Sequence, residues 1–141
     1  MEQQKTFDLQ VISTNGIFYD DKAIEIILPC HDGELAILYG HEEMLYAIYD
    51  GIIKIKKPDG EWFFGVVSLG SVQYTVDNKC KVVVNTAERP EDIDKNRAQE
   101  AYLFAADKLR HKQSMKEYNK SQAGLARAMA RLKAASKYRD Y

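Results

Sequence analysis

The sequence has little of what membrane-spanning, secreted and metal-dependent proteins require. It holds two cysteines, three histidines and one tryptophan in 141 residues. Its apolar runs are only a few residues long, which excludes a helix that spans a bilayer. The first residues, Met1–Lys5, are not followed by the apolar stretch of a signal peptide. We therefore expect a protein of the cytoplasm, peripheral to the cytoplasmic face of the cell membrane if a partner brings it there.

Cysteine and histidine do not form a recognisable site. Cys30 and Cys80 are far apart in strand-like surroundings, so we expect two reduced, packed thiols. Neither has the spacing to His31, His41 or His111 that a tetrahedral metal site needs, and we expect no metal site.

Signatures of catalysis and of nucleic-acid binding are also missing. There is no glycine-rich phosphate loop with Lys-Ser/Thr, no Ser/His/Asp order and no paired carboxylates, so we predict no catalytic residues. The basic C-terminal part lacks aromatic residues interleaved in a recognised module, which argues against nucleic acid as a partner.

Charge divides the chain, although the net charge is only −1. Residues 1–90 hold 8 Lys/Arg against 14 Asp/Glu, whereas residues 91–141 hold 12 against 7. A solvated helix face is the commoner explanation of such a basic tail. The alternative is a tail that meets an acidic protein surface or a polyphosphate.

Strand signals recur from Thr6 to Val84. Apolar and polar residues alternate over 7–11 and again over 72–76, the period of a half-buried strand. Runs of β-branched or aromatic residues occupy 23–28, 52–55, 62–67 and 82–84. Turn residues such as Asn15-Gly16 separate these runs at intervals of about eight to twelve positions, as in a sandwich or barrel. We predict an antiparallel β domain over residues 1–87.

After Pro90 the pattern changes to helical spacing. Pro90 suits the first position of a helix, and the acidic residues of 91–94 would face the positive end of its dipole. Ser114 is expected to cap a second helix. Each helix has an apolar stripe. The stripes are Ala98, Tyr102, Ala105 and Leu109, then Tyr118, Leu125, Met129 and Leu132 with Ala128 and Ala135 beside them.

Alanines on both stripes allow two helices to approach closely, so residues 88–141 are predicted to form an antiparallel helical hairpin. A hairpin with so little core is not very stable alone. We therefore expect it to dock on another surface or to change shape.

Three stretches, in order along the whole chain, resemble the epsilon subunit of F-type ATP synthase. They are the loop from Gly33 to His41, the Ala-Glu-Arg-x-Glu-Asp-Ile-Asp-x-x-Arg-Ala segment from Ala87 to Ala98, and Arg127-Ala128-Met129-Ala130-Arg131-Leu132. The resemblance implies a β-sandwich followed by the helical hairpin. The chain departs from the family at a few loop positions, which affects loop geometry rather than the fold. These positions are Ala36, Tyr39, Glu43 and Ser68-Leu69-Gly70.

The resemblance implies a noncatalytic rotor subunit of the central stalk, which couples proton-driven rotation to ATP synthesis. The sandwich would bind the gamma subunit and rest on the membrane ring of c subunits, with Glu34 and His41 near those contacts. Contact with the membrane would come only through the complex. The hairpin would extend to the catalytic alpha and beta subunits and inhibit ATP hydrolysis, where its basic second helix suits an acidic surface.

The segment from Ile93 to Ala98 also resembles the motif of family members that bind ATP. Guanidinium groups such as that of Arg97 form bidentate contacts with phosphate. The carboxylate of Asp94 can accept a hydrogen bond from an adenine amine or a ribose hydroxyl, and Ile93 and Ala98 offer an apolar wall. Without a ligand, Asp94 and Arg97 would form only an (i, i+3) pair, worth a few tenths of a kcal/mol.

The resemblance adds Glu88, Arg127 and Arg131 to this site, and it implies ATP as a regulatory ligand, with no cofactor required. Phe104 stands where strong binders have a further arginine, so we expect reduced affinity. The two arginines of the second helix lie away from the Leu125/Met129/Leu132 stripe, toward solvent or a ligand. Without the family resemblance, the alternative is a β-sandwich ligand-binding module with a helical oligomerisation tail.

Overall fold

The computed structural model describes residues 5–110 and 115–138. Within these ranges the chain forms ten strands, one 3₁₀ turn and two α-helices. The strands are β1 (Phe7–Ser13), β2 (Gly16–Ala23), β3 (Glu25–Cys30), β4 (Gly33–Leu38), β5 (Met44–Ile48), β6 (Gly51–Lys56), β7 (Trp62–Val67), β8 (Gly70–Tyr74), β9 (Lys79–Val84) and β10 (Ala87–Glu88). The 3₁₀ turn is Pro90–Asp92, and the helices are α1 (Lys95–Arg110) and α2 (Met115–Lys137).

The strands form two five-stranded sheets, in the orders β2-β1-β9-β8-β5 and β10-β7-β6-β3-β4. The predicted sandwich followed by two helices is confirmed. Neighbouring strands are antiparallel except β1 and β9, which pair in parallel from Asp8↔Lys79 to Ile12↔Val83. Alternation along a strand reports burial and not the direction of its neighbour, so this pair could not be read from the sequence.

The two sheets enclose the main core, and alternation places its side chains. Phe7, Leu9 and Val11 of β1 are at most 1% exposed, while the residues between them face outward. β9 alternates in the same way. The predicted alternation extends two residues too far in β8, since the strand ends at Tyr74 and Val76 is 80% exposed.

The first helix begins later than its composition suggests. Pro90 opens the 3₁₀ turn, and Ile93 then adopts an extended backbone with φ −86° and ψ 125°. α1 starts at Lys95, where Asp94 Oδ1 accepts hydrogen bonds from the backbone N–H groups of Asn96 at 3.0 Å and Arg97 at 3.3 Å. Asp94 is therefore the N-cap of α1 rather than a residue of its first turn.

The hairpin is docked on the sandwich, as its small apolar faces led us to expect. α2 packs against β6, β7 and the 3₁₀ turn. A second, smaller core forms at this contact. Its buried members are Val66, Ile93, Ala98, Ala134 and Ala135.

Alanines, more than the large side chains of the predicted second stripe, make the buried face of α2. Ala128 is 7% exposed, whereas Met129 is 51% exposed and Tyr118 is 39% exposed. The sheet approaches closely enough that small side chains fill the contact. The predicted cap at Ser114 lies outside the described residues.

Candidate functional site

A two-point ion pair joins α2 to the short strand β10. Arg131 donates from Nε to Glu88 Oε1 at 2.7 Å and from Nη2 to Glu88 Oε2 at 3.2 Å. Both side chains are about one-third exposed, at 33% each. β10 holds Glu88 in place by pairing it with Val66 of β7. The fork geometry orients Arg131 as well as binding it.

A second ion pair joins α2 to the turn between β5 and β6. Arg127 Nε lies 3.7 Å from Asp50 Oδ1, which is an ion pair without a hydrogen bond. The Asp50 side chain is only 7% exposed, and its Oδ1 has no hydrogen-bond partner among the described residues. The two arginines therefore face acidic groups of the sandwich, a contact that their helical positions, predicted to point toward solvent or a ligand, did not indicate.

A cleft of about 230 Å³ lies between the start of α1 and the middle of α2, and we call it the first cleft. Its lining residues are Asp92, Asp94, Arg97, Ala101 and Arg131. Three of the predicted ATP-binding residues thus line this cleft, namely Asp94, Arg97 and Arg131. A fourth, Glu88, forms the ion pair with Arg131. Two guanidinium groups beside two carboxylates can bind an anion at one point and hydrogen-bond donors at another.

The other predicted residues do not line the first cleft. Ile93 and Ala98 are 1% and 0% exposed and belong to the second core, where they support Asp94 and Arg97 from beneath. The apolar wall of the cleft comes instead from Ala101. Whether ATP binds at these residues stays a prediction.

A neighbouring cleft of about 250 Å³ opens between the helices nearer their connection, and we call it the second cleft. It is lined by Phe104, Ala105, Lys108, Lys120, Ser121, Gly124 and Arg127. Sequence reasoning used Phe104 and Arg127 but missed Lys108 and Lys120. Lys108 is four residues from Phe104 and Lys120 is four residues from Gly124, and residues four apart lie on the same face of a helix. That spacing was the signal in the sequence that could have found them.

The two residues predicted to contact the rotor lie on different parts of the sandwich. Glu34 of β4 faces Lys54 of β6, with 3.5 Å between Oε1 and Nζ. The ring of His41 lies 5.5 Å from that of Tyr74 in the other sheet. Their roles stay predictions.

The loop that carries His41 is tied to the sandwich by one side chain. Asn78 Oδ1 accepts hydrogen bonds from Gly40 N at 2.9 Å and from the Tyr74 hydroxyl at 2.7 Å. Asn78 has a φ of 58°, a left-handed conformation that asparagine tolerates better than most residues.

The cysteines behave as packed thiols. Burial raises the pKa of Cys80 to about 12. Burial, followed by the charge of Asp32, raises the pKa of Cys30.

Within residues 5–110 and 115–138, no three His, Cys, Asp or Glu side chains are grouped so as to hold a metal ion. No helix in the described part of the chain has the length and apolarity to cross a bilayer.

Comparison with known proteins accounts for almost the whole chain. Residues 6–90 match the family described as ATP synthase, Delta/Epsilon chain, beta-sandwich domain. Residues 91–136 match its long alpha-helix domain. The chain belongs to the ATP synthase delta/epsilon chain family.

Curated members of the delta/epsilon family resemble the chain over nearly their full length. The ATP synthase epsilon chain of Caldanaerobacter subterraneus subsp. tengcongensis is 39% identical over 137 residues, which is 96% of this chain and 98% of the relative. That of Ruminiclostridium cellulolyticum is 37% identical over 134 residues, 95% of this chain and 98% of the relative.

Chains in two solved ATP synthase structures have the same fold. A chain of the Euglena gracilis mitochondrial ATP synthase, solved by cryo-EM as OSCP/F1/c-ring, matches with a TM-score of 0.82 at 18% identity. The match covers 96% of this chain and 84% of that one. A chain of the central stalk and c-ring of Tetrahymena thermophila mitochondrial ATP synthase matches with a TM-score of 0.67 at 15% identity, over 95% and 99% of the two chains.

Proposed function

We propose that this chain is a noncatalytic central-stalk subunit of an F-type ATP synthase, and that its hairpin regulates ATP hydrolysis. Its epsilon-chain relatives, at up to 39% identity over nearly the whole chain, support the assignment to that complex. In this role the sandwich binds gamma and the c-ring, with Glu34 and His41 near those contacts. The chain then reaches the membrane through the complex.

The docking surface of the hairpin is the observation that carries the regulatory part. Its buried part is three alanines with Val66 and Ile93, and the partly buried Ile52, Ala130 and Leu132 pack against them. The rings of Phe64 and Tyr138 and two ion pairs complete it. Alanine side chains bury little area, so each contributes less than the ~1.5–3 kcal/mol of a buried leucine or valine. An interface of this kind can open while the sandwich remains folded. An opened hairpin can then extend toward the catalytic alpha and beta subunits.

ATP is the ligand we propose for the first cleft. Its lining comes from the 3₁₀ turn, from α1 and from α2, so the complete site exists only while the hairpin is closed. A ligand that bridges Arg97 and Arg131 has a higher affinity for the closed state than for the open one. That difference is what a ligand needs to shift a two-state equilibrium. ATP would therefore hold the hairpin docked and relieve inhibition.

Calorimetry and thermal unfolding of the isolated protein test the sensor. With ATP at about ten times its Kd, linkage predicts a gain of about 1.4 kcal/mol in stability and a matching rise in melting temperature. The gain should be lost in Arg97→Ala and kept in Lys133→Ala, which removes a cation from the other side of α2. Absence of heat and of any melting shift at millimolar ATP, with and without Mg²⁺, would reject the sensor.

Co-purification with gamma tests the rotor role separately. We expect a complex with gamma from the full chain and also from residues 1–90, which contain the whole sandwich. Removal of residues 91–141 should leave a folded β domain and should relieve any inhibition of ATP hydrolysis in the assembled complex. A stable protein without affinity for gamma would instead support a ligand-binding module with a helical oligomerisation tail.

A further inference from the structure

The first and second clefts lie one after the other along the hairpin, and we call the two together the groove. On α1, Arg97, Ala101, Phe104 and Lys108 recur at spacings of four, three and four. Residues at such spacings share one face of a helix. All four line one of the two clefts, so both clefts open on the same side of α1.

The facing helix shows the same arrangement. On α2, Lys120, Gly124, Arg127 and Arg131 recur at spacings of four, three and four and also line the two clefts. From Arg97 to Lys108 the groove runs along α1 for about 16 Å at the rise of an α-helix.

Small residues keep the groove open between its walls. Ala101 and Ala105 supply its floor on α1, and Gly124 supplies it on α2. A Cβ atom added to Gly124 would meet nothing within 4 Å. The space above Gly124 is therefore available to an extended ligand.

The two ends of the groove differ in charge, since one has both acidic and basic residues and the other has only basic ones. Asp92 and Asp94 lie at the end near the start of α1, beside Arg97 and Arg131. The other end has Lys108 and Lys120, with Arg127 between the two ends, and no acidic residue lines that second cleft. The first end can accept hydrogen bonds from a ligand, whereas the second can only attract negative charge.

We propose that Lys108 and Lys120 extend the proposed nucleotide site, so that a nucleoside triphosphate with its base and ribose at Asp94 has its phosphate chain at these two lysines. The inference rests on the proposed ATP site and gives it a direction and two further residues. Lys108 lies one helical turn beyond Phe104 on the same face of α1, so it supplies positive charge that Phe104 does not. The phosphate chain then crosses above Gly124 with Arg127 beside it.

Calorimetric titration of the full-length protein with AMP, ADP and ATP tests the direction of binding. Affinity of the native protein should rise with each added phosphate. In Lys108→Ala/Lys120→Ala, affinity for ATP should fall by about tenfold or more, since each lysine makes a charge-assisted contact. Affinity for AMP should change less than about threefold, because its single phosphate does not extend to the lysines. Lys108→Arg/Lys120→Arg should restore the preference for ATP.

The matched control is Lys133→Ala/Lys137→Ala, which removes two cations from α2 outside the groove and should leave all three affinities unchanged. Equal loss in both double variants would mean that net charge alone matters, and it would overturn the proposal. Inorganic tripolyphosphate should bind more weakly than ATP, since it makes no use of Asp94. Binding as tight as that of ATP would also overturn the proposed direction.

The test separates this inference from the sensor itself. If native protein binds ATP and Arg131→Ala does not, but Lys108→Ala/Lys120→Ala binds normally, the sensor stands and the extended groove is wrong. If the native protein binds no nucleotide at all, both are wrong.

Discussion

The two cores of this protein are built from different side chains, and the difference bears on the proposal that the hairpin opens while the sandwich stays folded. Between the sheets, large aliphatic and aromatic residues interlock at nearly zero exposure, among them Tyr74, Phe7, Leu9 and Ile26. Between hairpin and sandwich, the fully buried contact is made by alanines with Val66 and Ile93. Only partly buried large side chains, such as Leu132 and Tyr138, and two ion pairs surround it. The first arrangement buries large apolar side chains, whereas the second buries mainly small ones, so we expect the second to cost less free energy to open.

The largest effect is expected from a cavity in the main core. Ile53 of β6 is 0% exposed, and Ile53→Ala should lower the free energy of unfolding of the sandwich by about 2–5 kcal/mol. Urea unfolding followed through the fluorescence of Trp62 on β7 would measure it. Leu103→Ala on α1, at a residue 58% exposed, should cost less than about 0.5 kcal/mol. A loss below about 1 kcal/mol for Ile53→Ala would contradict the difference between the cores.

The second prediction concerns docking alone. Glu88→Gln removes the charged partner of Arg131 and should weaken docking by about 1–2 kcal/mol, a value reduced because both side chains are one-third exposed. Hydrogen exchange of α2 amides should become about tenfold faster, while the urea midpoint reported by Trp62 stays nearly unchanged.

The control for Glu88→Gln is Glu91→Gln. Glu91 accepts a hydrogen bond from Arg89 Nε at 2.7 Å, in the same stretch of chain but without an ion pair to α2 among the described residues. In Glu91→Gln, the rate of hydrogen exchange of the α2 amides should not change. If Glu88→Gln lowered the sandwich midpoint as much as it weakened docking, the hairpin and sandwich would unfold as one unit.

Alkaline pH should affect the main core and not the hairpin contact. Burial raises the pKa of Cys80 from 9.0 to about 12 and that of Tyr19 from 10.0 to about 12. Above pH 9 the thiol ionises in the unfolded chain but not in the folded one, so the folded state holds more protons and stability falls as pH rises. At pH 10 the loss from Cys80 alone is about 1.4 kcal/mol.

Urea unfolding at pH 8, 9 and 10 would measure this slope. Cys80→Ala should be less stable than the native protein at pH 8 and should show a smaller decline from pH 8 to 10. An unchanged decline in that variant would assign the slope to other groups.

The smallest effect is a gain. Glycine inside a helix costs roughly 0.5–1 kcal/mol relative to alanine, and a Cβ at Gly124 would meet open space. Gly124→Ala should therefore stabilise α2 by about that amount, measured as slower hydrogen exchange of its amides. The Trp62 urea midpoint should not move. A loss of stability would contradict the open space that surrounds Gly124 in the structure.

Periodicity predicted the fold because burial follows it directly. The alternation at Phe7, Leu9 and Val11 and the change to helical spacing after Pro90 both correspond to elements of the structure. The parallel pairing of β1 with β9 could not be predicted from periodicity, because it depends on which distant strands become neighbours. Gly70 shows another long-range constraint, because a Cβ there would lie 2.0 Å from the carbonyl oxygen of Val83.

The candidate site was predicted as residue types and not as an arrangement. Motif resemblance named Asp94, Arg97 and Arg131, which line one cleft. It also named Ile93, which is buried beneath the helices because the chain is extended at that residue. The contact between Arg127 and Asp50 joins residues 77 positions apart, and no local pattern relates them.

We expect Asp50 to give the hairpin contact a temperature dependence. Its side chain is only 7% exposed where it faces Arg127 of α2, and Oδ1 has no hydrogen-bond partner among the described residues. The free energy of hydrating a charged group becomes less favourable on warming, so the cost of burying Asp50 decreases as temperature rises. Docking should then weaken less with temperature in the native protein than in Asp50→Asn, which hydrogen exchange of α2 at several temperatures would reveal. We therefore expect one acidic residue at the edge of the sandwich to keep the hairpin docked over a wider range of temperature.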